Sequence, residues 1–459
     1  MRIQDFAGKH VHMIGIGGSS MSGLAMLLHD HGYSITGSDN YPSYLAEKVQ
    51  AHGIPVHIGH RAEQVRGADL VIYSAAISME NPERQEAERL GIPQMERSTL
   101  LGQLMSGYKQ AVGVSGTHGK TTATAMLTQA LMQAGLNPSA HLGGSFEAIG
   151  GGTRVGDRGM FIAEACEFHS SFLEMRPTIA VVLNIQEDHL DYYRDIDHIA
   201  EAFEAFVGLV PQDGLFIGNG DDARVQGIAS RAACRCETFG LEEGNDWHPV
   251  NLHENEYGCS AFDVSYRGDI VAHIALQVGG LFNAMNALAA LAAAHALGAN
   301  IEQAAAGITA FTGVHRRLEY TGTVDGVRLY HDYGHNPVEM QGAVSVIAKH
   351  PHRRFFAVMQ PHTYSRVKRL FDDYLRCCEA ADETLVTAIY AAREKDPGDI
   401  NSEMLVDAMA KAGQNVRLTP TFDDVEAYLR AHWQPGDVVL TMGCGNINEL
   451  NEQIQKHEM

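Results

Sequence analysis

Several features that define whole classes of protein are missing from this chain of 459 residues. Its seven cysteines are an odd number, with neither a disulfide framework nor the paired spacing of a zinc site. This pattern argues against a disulfide-stabilised secreted scaffold and favours reduced thiols in a cytoplasm. The first residues, Met-Arg-Ile-Gln-Asp-Phe, lack the apolar core of a signal peptide. We therefore expect a cytoplasmic protein.

Long hydrophobic runs and an excess of positive charge are also absent. The least polar stretch, residues 284–298, is mostly alanine but contains Asn286 and His295, so it predicts a packed helix rather than a membrane span. Lys and Arg total 34 against 56 Asp and Glu, a net charge of −22. Such a chain is a poor general binder of nucleic acid or anionic membranes, so we expect neither partner. We expect a monomer or a weak homodimer.

The chain is long enough for several hydrophobic cores. Apolar runs that suit buried strands alternate with helical patterns throughout, which predicts an α/β fold with mainly parallel sheets. We predict three domains: a Rossmann-like domain at 1–105, a P-loop ATPase-like domain at 106–314 and a Rossmann-like α/β domain at 315–459. The polar segment at about 241–270 predicts a small excursion within the central domain.

Residues 113–122 read Gly-Val-Ser-Gly-Thr-His-Gly-Lys-Thr-Thr, between an apolar run and a helical pattern. This is a shortened phosphate-binding loop, because backbone N–H groups can surround a phosphate while Lys120 supplies a cation and Thr121 can hold Mg²⁺. The alternative is a glycine-rich turn before an ordinary helix, which the order of strand, Gly-Lys-Thr and helix disfavours. We predict ATP binding by Gly116, Thr117, His118, Gly119, Lys120, Thr121 and Thr122.

A second glycine cluster, residues 15–23, follows the first predicted strand, and Asp39 stands about twenty residues further on, as in dinucleotide-binding domains. There Asp39 would bind ribose hydroxyls. The third small position is Ser20 rather than glycine, so the cluster indicates a diphosphate more than NAD. A tight turn without a ligand remains an alternative. Two phosphate-binding loops in one chain suggest a kinase or ligase whose second substrate is itself a nucleotide.

Acidic residues follow two further predicted strands, at 164–167 and at 184–191. Strand ends in a P-loop domain face the nucleotide, so a carboxylate there can complete the coordination of Mg²⁺. We predict that Thr121 and Glu164 bind one ion and that His189 binds a second. The alternative is that Glu164 and Asp188 only cap helices.

Taken together, these motifs resemble the Mur ligases. The matching runs, in family order over nearly the whole chain, are 15–18, 21–23, 116–121, 164–167, 188–191, 283–287, 316–317, 332–335 and 360–366. The resemblance implies that ATP and Mg²⁺ drive the joining of an amino acid to UDP-N-acetylmuramate through an acyl phosphate. The last two runs favour the alanine-adding branch of the family, so the implied amino acid is L-alanine. The absence of lysine from residues 195–210 agrees with that branch.

The resemblance also implies roles for individual residues. The UDP-sugar would lie at the first glycine cluster, with ATP between the central and C-terminal domains. Asn283 and Asn286 would lie near the adenine, and Arg317 would reach phosphates. The implied substrate-binding residues are Gly15, Gly17, Gly18, Ser20, Met21, Ser22, Asp39, Ser74, His362 and Tyr364. The implied catalytic residues are Lys120, His189, His335 and Arg366.

Three positions depart from the family pattern: Cys166 replaces an aspartate, Phe282 a histidine, and Thr363 a residue that is often basic. Three alternative functions remain open. A murein-tripeptide recycling ligase would use the same sugar nucleotide, an oxidoreductase with an accessory ATPase would explain both glycine clusters, and a ligase-like scaffold would be inactive.

Overall fold

The computed structural model describes residues 1–189, 192–392 and 394–457. Three sheets with flanking helices organise this part of the chain, which confirms the predicted α/β class. The chain divides into two compact units. One comprises Met1–Asn251, Phe262–Ile274 and Met285–Phe311, and the other Leu252–Ala261, Ala275–Ala284 and Thr312–Met459. The domain boundaries at 105/106 and 314/315 stay predictions.

The first sheet has five strands in the order β3-β2-β1-β4-β5, all parallel. The strands are β1 (His10–Ile14), β2 (Ser34–Asp39), β3 (Val56–Ile58), β4 (Leu70–Tyr73) and β5 (Gln94–Glu96), and the helices are α1 (Ser19–Asp30), α2 (Tyr44–Ala51), α3 (Pro82–Leu90) and α4 (Arg97–Met105). Residues 11–14 of β1 are fully buried, as expected for a central parallel strand. The carboxyl ends of β1, β2 and β4 therefore meet at one edge, where ligands bind in open α/β sheets.

The central sheet has ten strands in the order β15-β14-β13-β12-β11-β10-β6-β9-β7-β8. Its strands are β6 (Gln110–Ser115), β7 (Ser139–Phe146), β8 (Gly151–Arg154), β9 (Met160–Glu164), β10 (Ile179–Val182), β11 (Leu215–Asn219), β12 (Arg235–Phe239), β13 (Trp247–Glu254), β14 (Cys259–Tyr266) and β15 (Asp269–Gly279). Its helices are α5 (Lys120–Gln133), α6 (Ile196–Val207), α7 (Ala223–Ala229), α8 (Leu281–Ala296) and α9 (Ile301–Thr309).

Strands β7, β9, β6, β10, β11 and β12 of this sheet pair in parallel, whereas β8 is antiparallel to β7. The segment 241–270 is not a small excursion. It supplies most of β13 to β15, which continue the same sheet beyond β12. The predicted alanine-rich helix is confirmed as α8.

The third sheet has six strands in the order β16-β17-β21-β18-β19-β20. The strands are β16 (Glu319–Val324), β17 (Val327–Asp332), β18 (Phe355–Met359), β19 (Glu383–Val386), β20 (Val416–Leu418) and β21 (Val438–Met442). The helices are α10 (Pro337–Ile347), α11 (Tyr364–Arg369), α12 (Phe371–Tyr374), α13 (Ser402–Lys411), α14 (Phe422–His432) and α15 (Asn448–Lys456). In this sheet β16 is antiparallel to β17, and the strands from β17 to β20 pair in parallel. Asn336 caps α10, and Pro337 at its first position fixes the helix start after β17.

The first sheet and most of the central sheet belong to the same unit, and they are in direct contact through α1. Gly23 of α1 lies so close to β8 that a Cβ at this position would overlap the side chain of Thr153. A larger residue would force the helix away from the strand, so glycine permits the close packing of the two sheets.

Candidate active site

The loop between β6 and α5 is the predicted phosphate-binding segment. Gly119 has a φ of 86°, and a Cβ there would lie 2.6 Å from Asn286 Oδ1. Gly116 has a φ of 145°, and its Cβ would lie 2.9 Å from the Cβ of Leu183. Both positions therefore require glycine. The first N–H groups of α5 have no acceptor within the helix, so this end of the helix suits an anion.

Side chains from the neighbouring strand connection hold the loop in shape. Asn184 accepts a hydrogen bond from the backbone N–H of His118 (2.9 Å) and donates one to the carbonyl of the same residue (3.1 Å). The hydroxyl of Thr117 accepts from the N–H of Gln186 at 2.9 Å. Thr122 is half-buried in the first turn of α5. The backbone of the loop is thus fixed by hydrogen bonds before any ligand binds.

Lys120 lies inside the loop, and its ammonium group already has oxygen partners. Its Nζ donates to the carbonyls of Gly116 (2.7 Å) and Thr117 (3.0 Å) and lies 2.9 Å from Glu167 Oε2. The side chain of Glu167 is only 3% exposed. Burial alone would lower the pKa of Lys120, but the Glu167 charge together with smaller contributions from Cys166 and Glu164 outweighs it and raises the pKa. Lys120 is therefore a buried, permanent cation.

The predicted metal ligands Thr121 and Glu164 lie side by side. The hydroxyl of Thr121 donates to Glu164 Oε2 at 2.8 Å, and the N–H of Gly143 donates to the same oxygen at 2.8 Å. A Cβ at Gly143 would lie 2.8 Å from this carboxylate. A hydroxyl and a carboxylate are the oxygen ligands that Mg²⁺ prefers. The donor set therefore fits a magnesium ion beside a phosphate-binding loop.

His189 is predicted to hold a second ion. Among the described residues its ion-pair contacts are with Glu167 and Asp188, not with Thr121 or Glu164. Its Nε2 is 3.8 Å from Glu167 Oε1 and 3.9 Å from Asp188 Oδ2. Its ring lies 4.8 Å from that of Phe168, and its φ of 51° is unusual for a residue other than glycine. Asp191, the last residue of the run 188–191, lies outside the described residues.

The first glycine cluster follows β1, as predicted, and lies where the carboxyl ends of β1, β2 and β4 meet. The N–H of Gly17 donates to Asp39 Oδ2 at 2.9 Å, so this carboxylate supports the loop itself. Gly15 has a φ of 79°, and a Cβ there would lie 3.8 Å from the hydroxyl oxygen of Ser74. Gly15, Gly17, Asp39 and Ser74 therefore form one group at the sheet edge.

The remaining residues of this cluster begin α1. Gly18 precedes the helix as its N-cap. The hydroxyl of Ser20 lies 2.7 Å from His141 Nε2, whereas Ser22 donates to the carbonyl of Ser19 at 3.3 Å. The side chain of Met21 is 2% exposed and belongs to the hydrophobic core. Any contact between Met21 and a ligand therefore has to come from its backbone.

In the second unit, three of the predicted residues come together beyond the carboxyl ends of β17 and β18. Arg366 Nη1 lies 3.0 Å from His362 Nδ1, and the rings of His335 and His362 are 5.4 Å apart. Burial, with smaller contributions from His335 and Arg366, lowers the pKa of His362 to about 4. Because an arginine can only donate, Nδ1 of the neutral His362 accepts this hydrogen bond.

The other predicted residues lie near these groups or on α8. Arg317 lies over the ring of Tyr333, at 5.1 Å from its centroid. Tyr364 is the first residue of α11 and is half-buried. Asn283 and Asn286 are both buried on α8, and Asn283 donates to the carbonyl of Gly279 at 2.8 Å.

Two residues that contact the phosphate-binding loop were not among the site residues predicted from the sequence. Glu167 pairs with Lys120, and Asn184 holds the backbone of His118. Both residues belong to the segments 164–167 and 184–191, which also contain Glu164 and His189. Their position directly after a predicted strand was the sequence feature that could have indicated them. Their partners lie far away along the chain and could not be read from the sequence.

Three protein-family models match the chain in order. The model described as "Mur ligase family, catalytic domain" matches residues 10–109, and the model of the "Mur ligase middle domain" matches residues 114–294. The model described as "Mur ligase, glutamate ligase domain" matches residues 316–445. A UDP-N-acetylmuramate–L-alanine ligase of Caldanaerobacter subterraneus subsp. tengcongensis is 45% identical to the chain over 97% of both sequences. The chain belongs to the Mur ligase family.

Solved structures resemble this Mur ligase in fold over almost its whole length. The UDP-N-acetylmuramate-alanine ligase of Thermotoga maritima has a TM-score of 0.83 at 24% identity, covering 98% of this chain and 99% of its own. A murein peptide ligase of Psychrobacter arcticus has a TM-score of 0.76 at 23% identity, with the same coverage. At these identities the likeness shows the shared three-domain α/β fold. Among the described residues of this Mur ligase, no helix combines the length and apolar character required to cross a membrane.

Proposed function

We propose that this Mur ligase uses ATP to join L-alanine to UDP-N-acetylmuramate, a step in the synthesis of peptidoglycan precursors. The observation that carries the proposal is the 45% identity, over 97% of both chains, to a protein named for this reaction. The loop geometry supports it, because Lys120, Thr121 and Glu164 lie together at the start of α5. We also propose a cytoplasmic location and a monomer or weak homodimer.

ATP binding would occupy the loop between β6 and α5. The N–H groups at the start of α5 and the Lys120 ammonium would neutralise the β- and γ-phosphates. For this, Lys120 exchanges the carbonyls of Gly116 and Thr117 and the Glu167 carboxylate for phosphate oxygens. Thr121 and Glu164 would hold Mg²⁺, which, when bound, offsets phosphate charge. We propose that His189 coordinates a second ion.

The reaction activates a carboxylate before an amine attacks it. The lactyl carboxylate of UDP-N-acetylmuramate, placed by the cluster at residues 15–22 with Asp39 and Ser74, would attack the γ-phosphorus and release ADP. The amine of L-alanine would then attack the acyl phosphate and release phosphate. Residues that exclude water protect this intermediate from hydrolysis. Asn283 and Asn286 would contact the adenine, and Arg317 would contact phosphates.

His335, His362 and Arg366, beyond the ends of β17 and β18 in the third sheet, would bind the amino acid and the sugar acid. The Arg366 guanidinium carries five N–H donors in a fork, so it can bind a carboxylate beside its contact with His362. His335, whose ring faces that of His362, would orient the alanine ammonium group or accept its proton. Tyr364, at the start of α11, would contribute to the same site.

The decisive experiment measures ADP release with UDP-N-acetylmuramate and ATP, with L-alanine, glycine, L-serine or a murein tripeptide as the amine. We expect release with L-alanine. Release with tripeptide alone would instead assign the recycling reaction. Hydride transfer with bound NAD(P) would indicate an oxidoreductase, and no release with any amine would indicate a scaffold.

Lys120→Ala should abolish ADP release because it removes the cation that lies inside the loop. Lys456→Ala is the control, since this lysine side chain is 70% exposed and forms an ion pair with Glu452 on the surface of α15. Tryptophan fluorescence verifies that both variants are folded. Normal turnover of Lys120→Ala would exclude the proposed role of the loop.

A further inference from the structure

A partly buried chain of hydrogen bonds joins the first and central sheets, and its central residue, His141, has no role in the proposed mechanism. Ser20 and Gly23 lie on the first turns of α1, and Gly23 packs against Thr153 of β8. Ser20 reaches the neighbouring strand β7, where its hydroxyl lies 2.7 Å from His141 Nε2. The start of α1 therefore contacts β7 and β8, the last two strands at one end of the central sheet.

Arg97, at the start of α4, adds a charged donor to this chain of hydrogen bonds. Its Nη1 lies 3.0 Å from the Ser20 hydroxyl oxygen and can only donate to it. The two ring nitrogens of His141 contact two hydroxyls, Nε2 that of Ser20 and Nδ1 that of Thr153 at 2.9 Å. A neutral imidazole has one donor and one acceptor nitrogen, and each hydroxyl can donate or accept, so all three contacts are satisfied together.

His141 stays neutral in this environment. Its side chain is buried, with 3% of the residue exposed. Burial and, to a smaller degree, the nearby charge of Arg97 lower its pKa to about 3. The ring therefore keeps one donor and one acceptor nitrogen throughout the neutral pH range, so its contacts with both hydroxyls persist.

The same strand also contacts the predicted metal ligands. Gly143, two residues after His141 on β7, donates its N–H to Glu164 Oε2 at 2.8 Å. That oxygen also accepts from Thr121. Three consecutive residues of β7 therefore connect the start of α1 with the carboxylate beside the phosphate-binding loop.

We propose that His141 is a positioning residue for the ligation. It fixes the Ser20 hydroxyl and the first turn of α1 against β7, and thereby holds the sugar-nucleotide loop in register with the Thr121–Glu164 pair. This inference rests on the proposed function for the identity of the ligand. The hydrogen-bond chain itself depends only on the contacts of His141.

The test compares His141→Leu, which removes both ring nitrogens, with His141→Gln, whose amide oxygen can accept from Ser20. For His141→Leu we expect the KM for UDP-N-acetylmuramate to rise roughly threefold to tenfold, the equivalent of one neutral hydrogen bond. The KM for ATP should change less than twofold, because the contacts of Lys120 are untouched. His141→Gln should recover at least half of the loss on a logarithmic scale.

His350→Leu is the matched control. His350 is another buried histidine, with its pKa lowered to about 4 by burial, but it follows α10 and packs against the rings of Tyr257 and Tyr330, away from α1 and β7. This variant should leave both KM values unchanged even if the protein is less stable. A general loss of stability is thereby separated from a specific loss of positioning.

A second measurement does not depend on the substrate. Hydrogen exchange over residues 15–24 should be faster in His141→Leu than in the parent and unchanged in His350→Leu. Equal exchange in this segment, equal KM values for UDP-N-acetylmuramate, or a His141→Gln variant as impaired as His141→Leu would each overturn the inference. If the parent protein releases no ADP with UDP-N-acetylmuramate, the proposed function fails, whereas the exchange result still decides the role of His141.

Discussion

The buried pair of Lys120 and Glu167 allows a stability prediction that is independent of activity. The Lys120 and Glu167 side chains are 13% and 3% exposed, so Lys120→Met leaves a carboxylate buried without its cation. Removing one partner of such a pair costs about 3–5 kcal/mol of unfolding free energy. The carbonyls of Gly116 and Thr117 also lose their donor. The protein should remain folded at low denaturant but with a clearly lower unfolding midpoint.

The chain provides a reporter for the central domain, since it has only two tryptophans, Trp247 and Trp433. Trp247 is fully buried beside the ring of Tyr266, at 4.1 Å between centroids. In a Trp433→Phe background, urea unfolding followed by fluorescence therefore reports on the sheet that carries the phosphate-binding loop. With an unchanged slope, the shift in midpoint gives the change in free energy.

Two further variants complete this experiment. Lys120→Met combined with Glu167→Gln should regain most of the lost stability, because no buried charge is left unpaired. Arg231→Met breaks an exposed pair with Glu204 in the same domain and should not shift the midpoint measurably. If Lys120→Met lowers the midpoint no more than Arg231→Met does, the argument from burial is wrong.

Three more predictions follow from the described contacts. Glu164→Gln should raise the Mg²⁺ concentration needed for half-maximal ADP release. The rise should be at least roughly 10–100-fold, the loss of metal affinity that follows removal of an outer-shell partner. An unchanged Mg²⁺ titration would show that Glu164 is not a metal ligand. Gly119→Ala, at a φ of 86° and with a Cβ 2.6 Å from Asn286 Oδ1, should weaken ATP binding about tenfold or more in calorimetry, and parent-like affinity would contradict the need for glycine. Burial lowers the pKa of His331 to about 3 and of His362 to about 4 from 6.5, so the unfolded chain takes up protons first and unfolding free energy should fall as the pH drops from 6.5 toward 4. His362→Gln should flatten this dependence of the urea midpoint, and an identical profile would refute it.

Features that arise from local sequence could be predicted. Buried parallel strands consist of continuous apolar runs, as in residues 179–182 of β10 and 355–359 of β18. The glycine positions of the phosphate-binding loop could also be predicted, because a strand followed by Gly-Lys-Thr and a helix restricts the backbone locally. The motif spacing was sufficient to indicate the family.

Features that depend on distant partners could not be predicted. The segment 241–270 is polar and contains several glycines, and its strand β14 alternates half-buried and buried residues, so the local sequence predicts an excursion and not part of the sheet. Glu167 was visible as an acidic residue near Glu164, but its contact with Lys120 depends on the pairing of β6 with β9. His141 carries no motif, and its connection to Ser20 exists only because two sheets pack together.

The internal oxygen partners of Lys120 also have a consequence for the speed of turnover. A nucleotide that enters the loop must compete with Glu167 and two backbone carbonyls for the same ammonium group. When ADP departs, these oxygens take the ammonium back, so the vacated loop does not keep an exposed, unpaired cation. In the proposed reaction this exchange would weaken product retention and shorten the lifetime of the ADP complex, which would favour repeated cycles over tight storage of nucleotide.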